Sequence, residues 1–196
     1  MSKFTRSRDT AGSVGRVILV VAATEPELRG AADAQVLVCG VGPVEAAAAT
    51  GRRLGLERPG AVLHVGVAGA RRGCGIESPA VVIGSESVYS DLATPLAPGR
   101  VAPDPGRVAA ARRALPDAAV VPIATSAAIG GGSGCDVEAM EGFAVLRAAA
   151  IAGVPAVEVR AVSNEIEEVD RARWRLEDAL AALAEVVPRL LAQFVQ

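Results

Sequence analysis

The hydrophobic positions along the chain fall into two kinds of segment. Short apolar runs bounded by Gly, Pro or Asp are typical of buried strands, and alanine-rich segments with apolar residues at helical spacing are typical of helices. The apolar runs predict strands over residues 17–22, 36–39, 61–66, 80–87, 119–124 and 156–162. The segments between and after them predict helices over residues 43–54, 105–114, 141–152 and 171–194.

The predicted helices have recognisable ends. Pro43 stands in the first turn of its helix, and Gly153 followed by Pro155 ends the third helix. Pro188 falls inside the last helix, which we expect it to kink or split. Continuous apolar strands separated by helices predict one α/β domain, with a mostly parallel twisted central sheet flanked by helices on both faces. We expect this domain to cover residues 16–196, after a disordered or frayed tail over residues 1–15.

Composition narrows the possible classes of function. Of the 196 residues, 51% are hydrophobic, which argues against a disordered chain. No apolar run approaches the ~18 residues that indicate a membrane span. The net charge of −2 gives no reason to expect a nucleic-acid partner. We therefore expect a small-molecule partner, with no nucleic acid and no membrane.

Cysteine and histidine are too sparse for the common metal and redox motifs. Cys39, Cys74 and Cys135 lie far apart and form no Cys-x-x-Cys pair, and His64 is the only histidine. A zinc site and a disulfide framework are therefore disfavoured, and we expect no metal and no cofactor. Because His64 lies in an apolar run, we interpret it as a core histidine rather than a catalytic one. Reduced thiols and the lack of an export-signal pattern predict a cytoplasmic location.

Polar residues that follow the predicted strands carry the candidate chemistry, since ligands of α/β sheets bind beyond the carboxyl ends of the strands. These residues are Glu25 and Glu27, the glycine-rich segment 66–69, Met140-Glu141 and Ser163-Asn164. We expect segment 66–69 to form a turn. Glu141 stands at a predicted strand-to-helix junction, where a carboxylate can accept hydrogen bonds from two neighbouring hydroxyls of a sugar. Its alternative role is that of an acid stabilised by the helix dipole.

Four segments together resemble the nucleoside phosphorylase superfamily, and within its nucleosidase branch the futalosine hydrolases. They are Val65-Gly66-Val67-Ala68-Gly69-Ala70, the segment 137–144, the segment 153–165 and the charged run Asp170-Arg171-Ala172-Arg173-Trp174. The resemblance covers about residues 16–191. It implies a nucleoside phosphorylase-like catalytic domain that hydrolyses the N-glycosidic bond of a purine nucleoside. For futalosine the products are hypoxanthine and dehypoxanthine futalosine, in menaquinone biosynthesis. It also implies a homo-oligomer.

The resemblance assigns roles on the sugar and water side of such a site. Glu27 corresponds to the catalytic acid that orients and deprotonates the attacking water, with Glu25 as its competitor and a surface turn as the alternative for either. Glu141 corresponds to the carboxylate that holds the 2′- and 3′-hydroxyls of ribose. Met140 packs on the apolar face of the sugar, unless it fills the core. The backbone of Gly66, Val67, Ala68 and Gly69 approaches the sugar or the water, unless the segment is a plain tight turn.

On the base side, the resemblance points to Ser163 and Asn164. Adenine-directed nucleosidases of the superfamily have an aspartate where this chain has Asn164. An amide can donate to a 6-oxo group or to N7, so Asn164 fits hypoxanthine better than adenine. A Ser-Asn turn after a strand is the alternative reading of this pair.

One segment departs from the family pattern. Residues 126–136 are short and glycine-rich, where the family usually has a longer segment whose aromatic side chain covers the purine. Phe143, expected to contact substrate, and Tyr89 are the candidates to replace that ring. The benzoate-bearing tail of futalosine also needs a cationic partner, for which the sequence singles out no arginine.

Three other functions stay open on the same scaffold. A phosphorylase needs converging arginines and a hydroxyl beside the sugar; Arg71 and Arg72 are present, but Val67 stands where a hydroxyl would help. An adenine-type nucleosidase and a non-catalytic nucleoside-binding protein are the remaining alternatives.

Overall fold

A computed structural model describes residues 17–32, 34–130 and 133–194. Those residues form the strands β1 (Ile18–Ala22), β2 (Gln35–Val38), β3 (Ala61–Ala70), β4 (Val81–Tyr89), β5 (Arg100–Val101), β6 (Ala119–Thr125), β7 (Val137–Ala139) and β8 (Ala156–Glu165). Their helices are α1 (Pro43–Leu56), α2 (Pro105–Ala114), α3 (Gly142–Ala152) and α4 (Leu176–Phe194), with 3₁₀ turns at Glu25–Leu28 and Arg171–Arg173. The tail predicted over residues 1–15 lies outside the described residues.

The strands form a mixed sheet that closes on itself. β3 pairs in parallel with β8, β8 pairs antiparallel with β4, and β4 and β6 continue in parallel to β7. β7 returns antiparallel to β3 and closes the ring, while β1 and β2 extend the sheet from β3. The predicted α/β class is confirmed, but the expected mostly parallel central sheet is corrected to a mixed, barrel-like one. The ten-residue strands β3 and β8 twist enough for β8 to meet β4 at its other edge.

Helices cover the sheet on two sides, as predicted. One buried cluster joins α2 and α4 to the sheet, with Val20, Leu63 and Leu183 fully buried. A second cluster joins α1 and α3 to it, with Leu19 and Val62 fully buried. Successive residues of a strand point to opposite faces, so Leu19 and Val20 of β1 enter different clusters. This two-sided burial explains why the strands read as continuous apolar runs.

Two predicted boundaries are wrong. β3 continues from Gly66 to Ala70 and stays paired with β8, with a register shift between Ala68 and Gly69, so the glycine-rich segment is a strand and not a turn. α4 begins at Leu176, because Arg171–Arg173 form a separate 3₁₀ turn that Asp170 caps through the backbone N–H of Ala172. Pro188 lies inside α4 without splitting it. The end of α3 agrees with prediction, since Gly153 caps it in the left-handed conformation at φ 65°.

Candidate active site

A cavity of about 400 Å³ opens at the carboxyl ends of β1, β7 and β8 and along the last residues of β3. Eight of the ten predicted site residues line it: Glu27, Val67, Ala68, Gly69, Met140, Glu141, Ser163 and Asn164. Gly66 and Phe143 are not among the lining residues. The far wall comes from the 3₁₀ turn Arg171–Arg173 and the first turns of α4. Eight predicted residues from separate segments of the chain therefore lie around one cavity.

Glu141 is turned toward the cavity rather than toward its own helix. It occupies the N-cap position of α3, yet its side chain makes no capping hydrogen bond. Oε1 accepts from the backbone N–H of Gly42 at 3.1 Å, and Oε2 lies 3.4 Å from both Nη1 and Nη2 of Arg160. Burial raises the pKa of Glu141, and the charge of Arg160 opposes that rise. The carboxylate is thus directed at the cavity and not engaged with the helix terminus.

Glu27 is a buried acid held in one orientation by three hydrogen bonds. Oε2 accepts from the backbone N–H and the hydroxyl of Thr24, both at 2.8 Å. Oε1 accepts from the backbone N–H of Val67 at 3.0 Å, which joins the acid to β3. Its competitor Glu25 is exposed and does not line the cavity. Of the two acids after β1, only Glu27 lines the cavity.

The glycines of β3 are required by neighbouring side chains rather than by a turn. A Cβ on Gly66 would overlap Nη1 of Arg160 and lie 2.9 Å from Oε1 of Glu27. A Cβ on Gly69 would come within 3.1 Å of Nδ2 of Asn164. Gly66 does not line the cavity itself. Its lack of a side chain leaves room for Arg160 and Glu27.

Asn164 is oriented by its neighbour Ser163. The buried hydroxyl of Ser163 donates to Oδ1 of Asn164 at 2.8 Å, and Nδ2 of Asn164 donates to the carbonyl of Glu165 at 2.8 Å. Nδ2 carries a second hydrogen. Oδ1 likewise keeps a second lone pair, so each end of the amide retains one hydrogen-bonding site for a ligand.

Phe143 lies in a different environment from the one expected. Its ring stacks on Tyr89, with centroids 5.3 Å apart and planes at 25°. Both residues line a second, larger cavity of about 890 Å³ between α1 and α3. The ring that does line the first cavity is Trp174, which the sequence argument treated only as part of a charged run. Ala128, Ile129 and Gly130 of the short glycine-rich segment also reach this cavity.

Arg160 is a buried arginine beside Glu141 that sequence reasoning did not single out. It is fully buried, and Nε donates to Oε1 of Glu158 at 2.8 Å while Nη2 donates to Nε2 of His64 at 2.6 Å. The signal was present, because Glu158 and Arg160 interrupt an otherwise apolar strand on the same face of β8. His64 is a buried, hydrogen-bonded core histidine, as predicted.

The described residues contain no cluster of three or more His, Cys, Asp or Glu side chains that could hold a metal ion. Within the same residues, no helix is both long and apolar enough to cross a membrane.

The chain is similar in fold to solved nucleosidases. No family profile matches the chain. A chain of the 5′-methylthioadenosine/S-adenosylhomocysteine nucleosidase of Colwellia psychrerythraea, solved with adenine, superposes with a TM-score of 0.80 at 20% identity, covering 92% of this chain and 96% of that one. For the S-adenosylhomocysteine nucleosidase of Streptococcus pyogenes the TM-score is 0.80 at 22% identity, covering 94% and 98%. The chain has the fold of these nucleosidases.

Part of the chain is also similar in sequence to two futalosine hydrolases. The chain is 58% identical over 53 residues to the futalosine hydrolase of Streptomyces coelicolor, covering 27% of this chain and 23% of that protein. It is 48% identical over 60 residues to the futalosine hydrolase of Thermus thermophilus, covering 31% and 27%. The match thus spans about a quarter of the length of these curated relatives. These two matches confirm the resemblance to futalosine hydrolases that the sequence motifs predict.

Proposed function

We propose that this protein hydrolyses the N-glycosidic bond of a purine nucleoside, and that the nucleoside is futalosine, cleaved to hypoxanthine and dehypoxanthine futalosine in menaquinone biosynthesis. One observation carries the proposal: two buried carboxylates, Glu27 and Glu141, line one cavity together with the amide of Asn164. The sequence likeness to two futalosine hydrolases supports the choice of substrate.

The geometry suits hydrolysis through an oxocarbenium-like sugar. Glu141 accepts the ribose hydroxyls and contributes negative charge where the sugar becomes positive. As the oxygen of the attacking water bonds to C1′, Glu27 accepts a proton from that water. The bond between C1′ and the base nitrogen breaks, and the base leaves with the electron pair. The base takes up a proton from solvent, and Glu27 returns the proton it accepted to solvent. Val67 and Ala68 of β3 line the cavity together with these acids and carry no side-chain hydroxyl.

We infer that Asn164 selects a 6-oxopurine. Its second N–H donates to O6 of hypoxanthine. The 6-amino group of adenine would face this donor with another donor. Because a buried donor without an acceptor costs free energy, adenine nucleosides should be the poorer substrates.

Phosphorolysis fits this cavity less well. Arg71 and Arg72 do not line it, and each is bound elsewhere. Arg71 donates to the carbonyls of Ser133 and Cys135, and Arg72 is paired with Glu165. Arg160 is held by Glu158 and His64. Beside Glu27 and Glu141, a phosphate would therefore meet Val67 and carboxylates rather than the guanidinium groups of these three arginines.

The substrate test uses futalosine, inosine and methylthioadenosine, each with and without phosphate, with chromatography of the released base. We expect hypoxanthine from futalosine without phosphate. A strict phosphate requirement would identify a phosphorylase, and faster release of adenine would identify an adenine-type nucleosidase. If no substrate turns over while nucleoside binding persists, the protein is a binding protein instead.

The end of the cavity at Trp174 offers a partner for the carboxylate of the substrate tail. Arg171 lines the cavity, with its guanidinium 5.7 Å from the centroid of the Trp174 ring. Among the described residues it forms an ion pair with no carboxylate, whereas Arg29 of the same cavity is paired with Glu177 at 3.0 Å. We infer that Trp174 packs on the aromatic tail and that Arg171 binds its carboxylate.

Replacing Arg171 by Ala should therefore raise KM for futalosine by about tenfold, on the order of one hydrogen bond to a charged group. KM for inosine, which lacks the tail, should change by less than about twofold. Arg173→Ala is the matched control, because Arg173 belongs to the same 3₁₀ turn but pairs with Glu168 and does not line the cavity. Equal effects of Arg171→Ala on both substrates would exclude the tail contact.

We further infer a homo-oligomer in the cytoplasm. The face formed by α1 and α3 exposes apolar side chains, with Val44 at 75% and Ile151 at 73% exposure, beside the cavity that Phe143 and Tyr89 line. The three cysteines are unpaired, which suits a reducing compartment. Light scattering of the purified protein tests the assembly, and cell fractionation tests the location; a monomer, or recovery outside the cytoplasm, would refute the respective inference.

A further inference from the structure

The strongest hydrogen bonds of Arg160 point away from the cavity. Its Nε and Nη2 are 2.8 Å from Oε1 of Glu158 and 2.6 Å from Nε2 of His64. Its two contacts with Oε2 of Glu141 are 3.4 Å each, longer than the 2.7–2.9 Å that is usual for charge-assisted N–H···O bonds. The guanidinium thus faces Glu141 without closing on it.

Glu158 is itself fixed in place. It is fully buried on β8, and its Oε2 accepts a short hydrogen bond from the hydroxyl of Ser87 on β4. The first residue of α3, Gly142, leaves the space that this carboxylate occupies, since a Cβ there would overlap both carboxylate oxygens. Three elements therefore converge on one buried acid that does not line the candidate active-site cavity.

His64 is the second anchor and acts as an acceptor. Arginine can only donate, so Nε2 of His64 accepts from Arg160 and Nδ1 carries the hydrogen that it donates to the carbonyl of Val21 at 2.9 Å. Burial and then the charge of Arg160 lower the pKa of His64 well below 6.5, which keeps the ring neutral. A neutral ring is the form that can accept this bond.

The two anchors affect what Glu141 can offer a ligand. Oε1 of Glu141 already accepts from Gly42, so a bidentate Arg160 on Oε2 would engage the remaining oxygen. We propose that Glu158 and His64 are positioning residues that hold Arg160 back from Glu141, and thereby keep the Glu141 carboxylate free for the hydroxyls of the substrate's ribose. This inference rests on the proposed function, in which Glu141 binds that ribose.

The test compares a ribonucleoside with its 2′-deoxy counterpart, using inosine and 2′-deoxyinosine. Glu158→Gln preserves the shape of the side chain but removes its charge, so Arg160 should close on Glu141. We expect kcat/KM for inosine to fall about tenfold, on the scale of one hydrogen bond to a charged group, and kcat/KM for 2′-deoxyinosine to fall less than about threefold. The preference for ribose should therefore shrink. His64→Leu should change the preference in the same direction.

A double-mutant cycle separates positioning from general damage. In an Arg160→Met background, Glu158→Gln should leave the ribose preference unchanged, because the residue through which it acts is gone. Equal losses for both nucleosides, or an unchanged preference in both single variants, would overturn the proposal. If the wild-type protein hydrolyses no nucleoside, futalosine included, the proposed function fails. The ratio of the two dissociation constants in wild-type and Glu158→Gln protein then decides the positioning role by the same criteria.

Discussion

Replacing Glu27 by Gln is expected to lower kcat for nucleoside hydrolysis by about 10²–10⁴-fold, the range usual for loss of a general base. The amide oxygen can still accept from the backbone N–H of Val67, which holds the side chain on β3, while the NH2 group loses the bond that Oε2 accepts from the backbone N–H of Thr24. It can no longer take a proton from water. The measurement is steady-state release of hypoxanthine, with circular dichroism to verify the fold.

Glu25→Gln is the matched control for this experiment. Glu25 belongs to the same 3₁₀ turn but is exposed and outside the cavity, so kcat should stay within about twofold of the wild type. The reverse pattern, with activity lost on changing Glu25 and kept on changing Glu27, would show that the catalytic acid has been misassigned.

Replacing Arg160 by Met is expected to lower the free energy of unfolding by about 3–5 kcal/mol, the cost usual for removing one partner of a buried ion pair. Glu158 is fully buried and Glu141 nearly so, and both would lose their positive neighbour while remaining out of water. Urea titration monitored by circular dichroism measures this loss.

Two further variants show whether charge is the cause. Arg173→Met removes the ion pair between the exposed Arg173 and the partly buried Glu168 and should cost at most about 1 kcal/mol. Adding Glu158→Gln to Arg160→Met removes one of the stranded charges, so the double variant should be more stable than Arg160→Met alone. A double variant that is less stable would mean that the Arg160 side chain contributes through packing rather than through its charge.

Much of the fold follows from the sequence because burial on two sides leaves a clear pattern. Strand β1 and helix α2 lie where the apolar runs and the proline at the start of α2 place them. The closure of the sheet was not predictable in this way, because β8 is equally apolar whether its second edge is free or paired with β4. Pairing of strand edges depends on twist accumulated over the sheet, which a local pattern does not encode.

The residues around the candidate site were also predictable only in part. Glu27, Glu141 and Asn164 were accessible to sequence reasoning because each follows a strand and carries a recognisable polar group. Arg160 was overlooked because it lies inside a strand, where an arginine is expected only if buried partners neutralise it. Those partners, His64 and Glu158, come from two different strands. Phe143 was expected at the first cavity but does not line it, for a related reason. Tertiary packing decides which side of α3 faces that cavity.

The most direct test of the central claim is hydrolysis of futalosine in ¹⁸O-labelled water without phosphate, with mass spectrometry of the sugar product. Attack by a water held at Glu27 predicts hypoxanthine together with dehypoxanthine futalosine that carries ¹⁸O at C1′. A product formed only when phosphate is added, with phosphate bonded to C1′, would contradict the account.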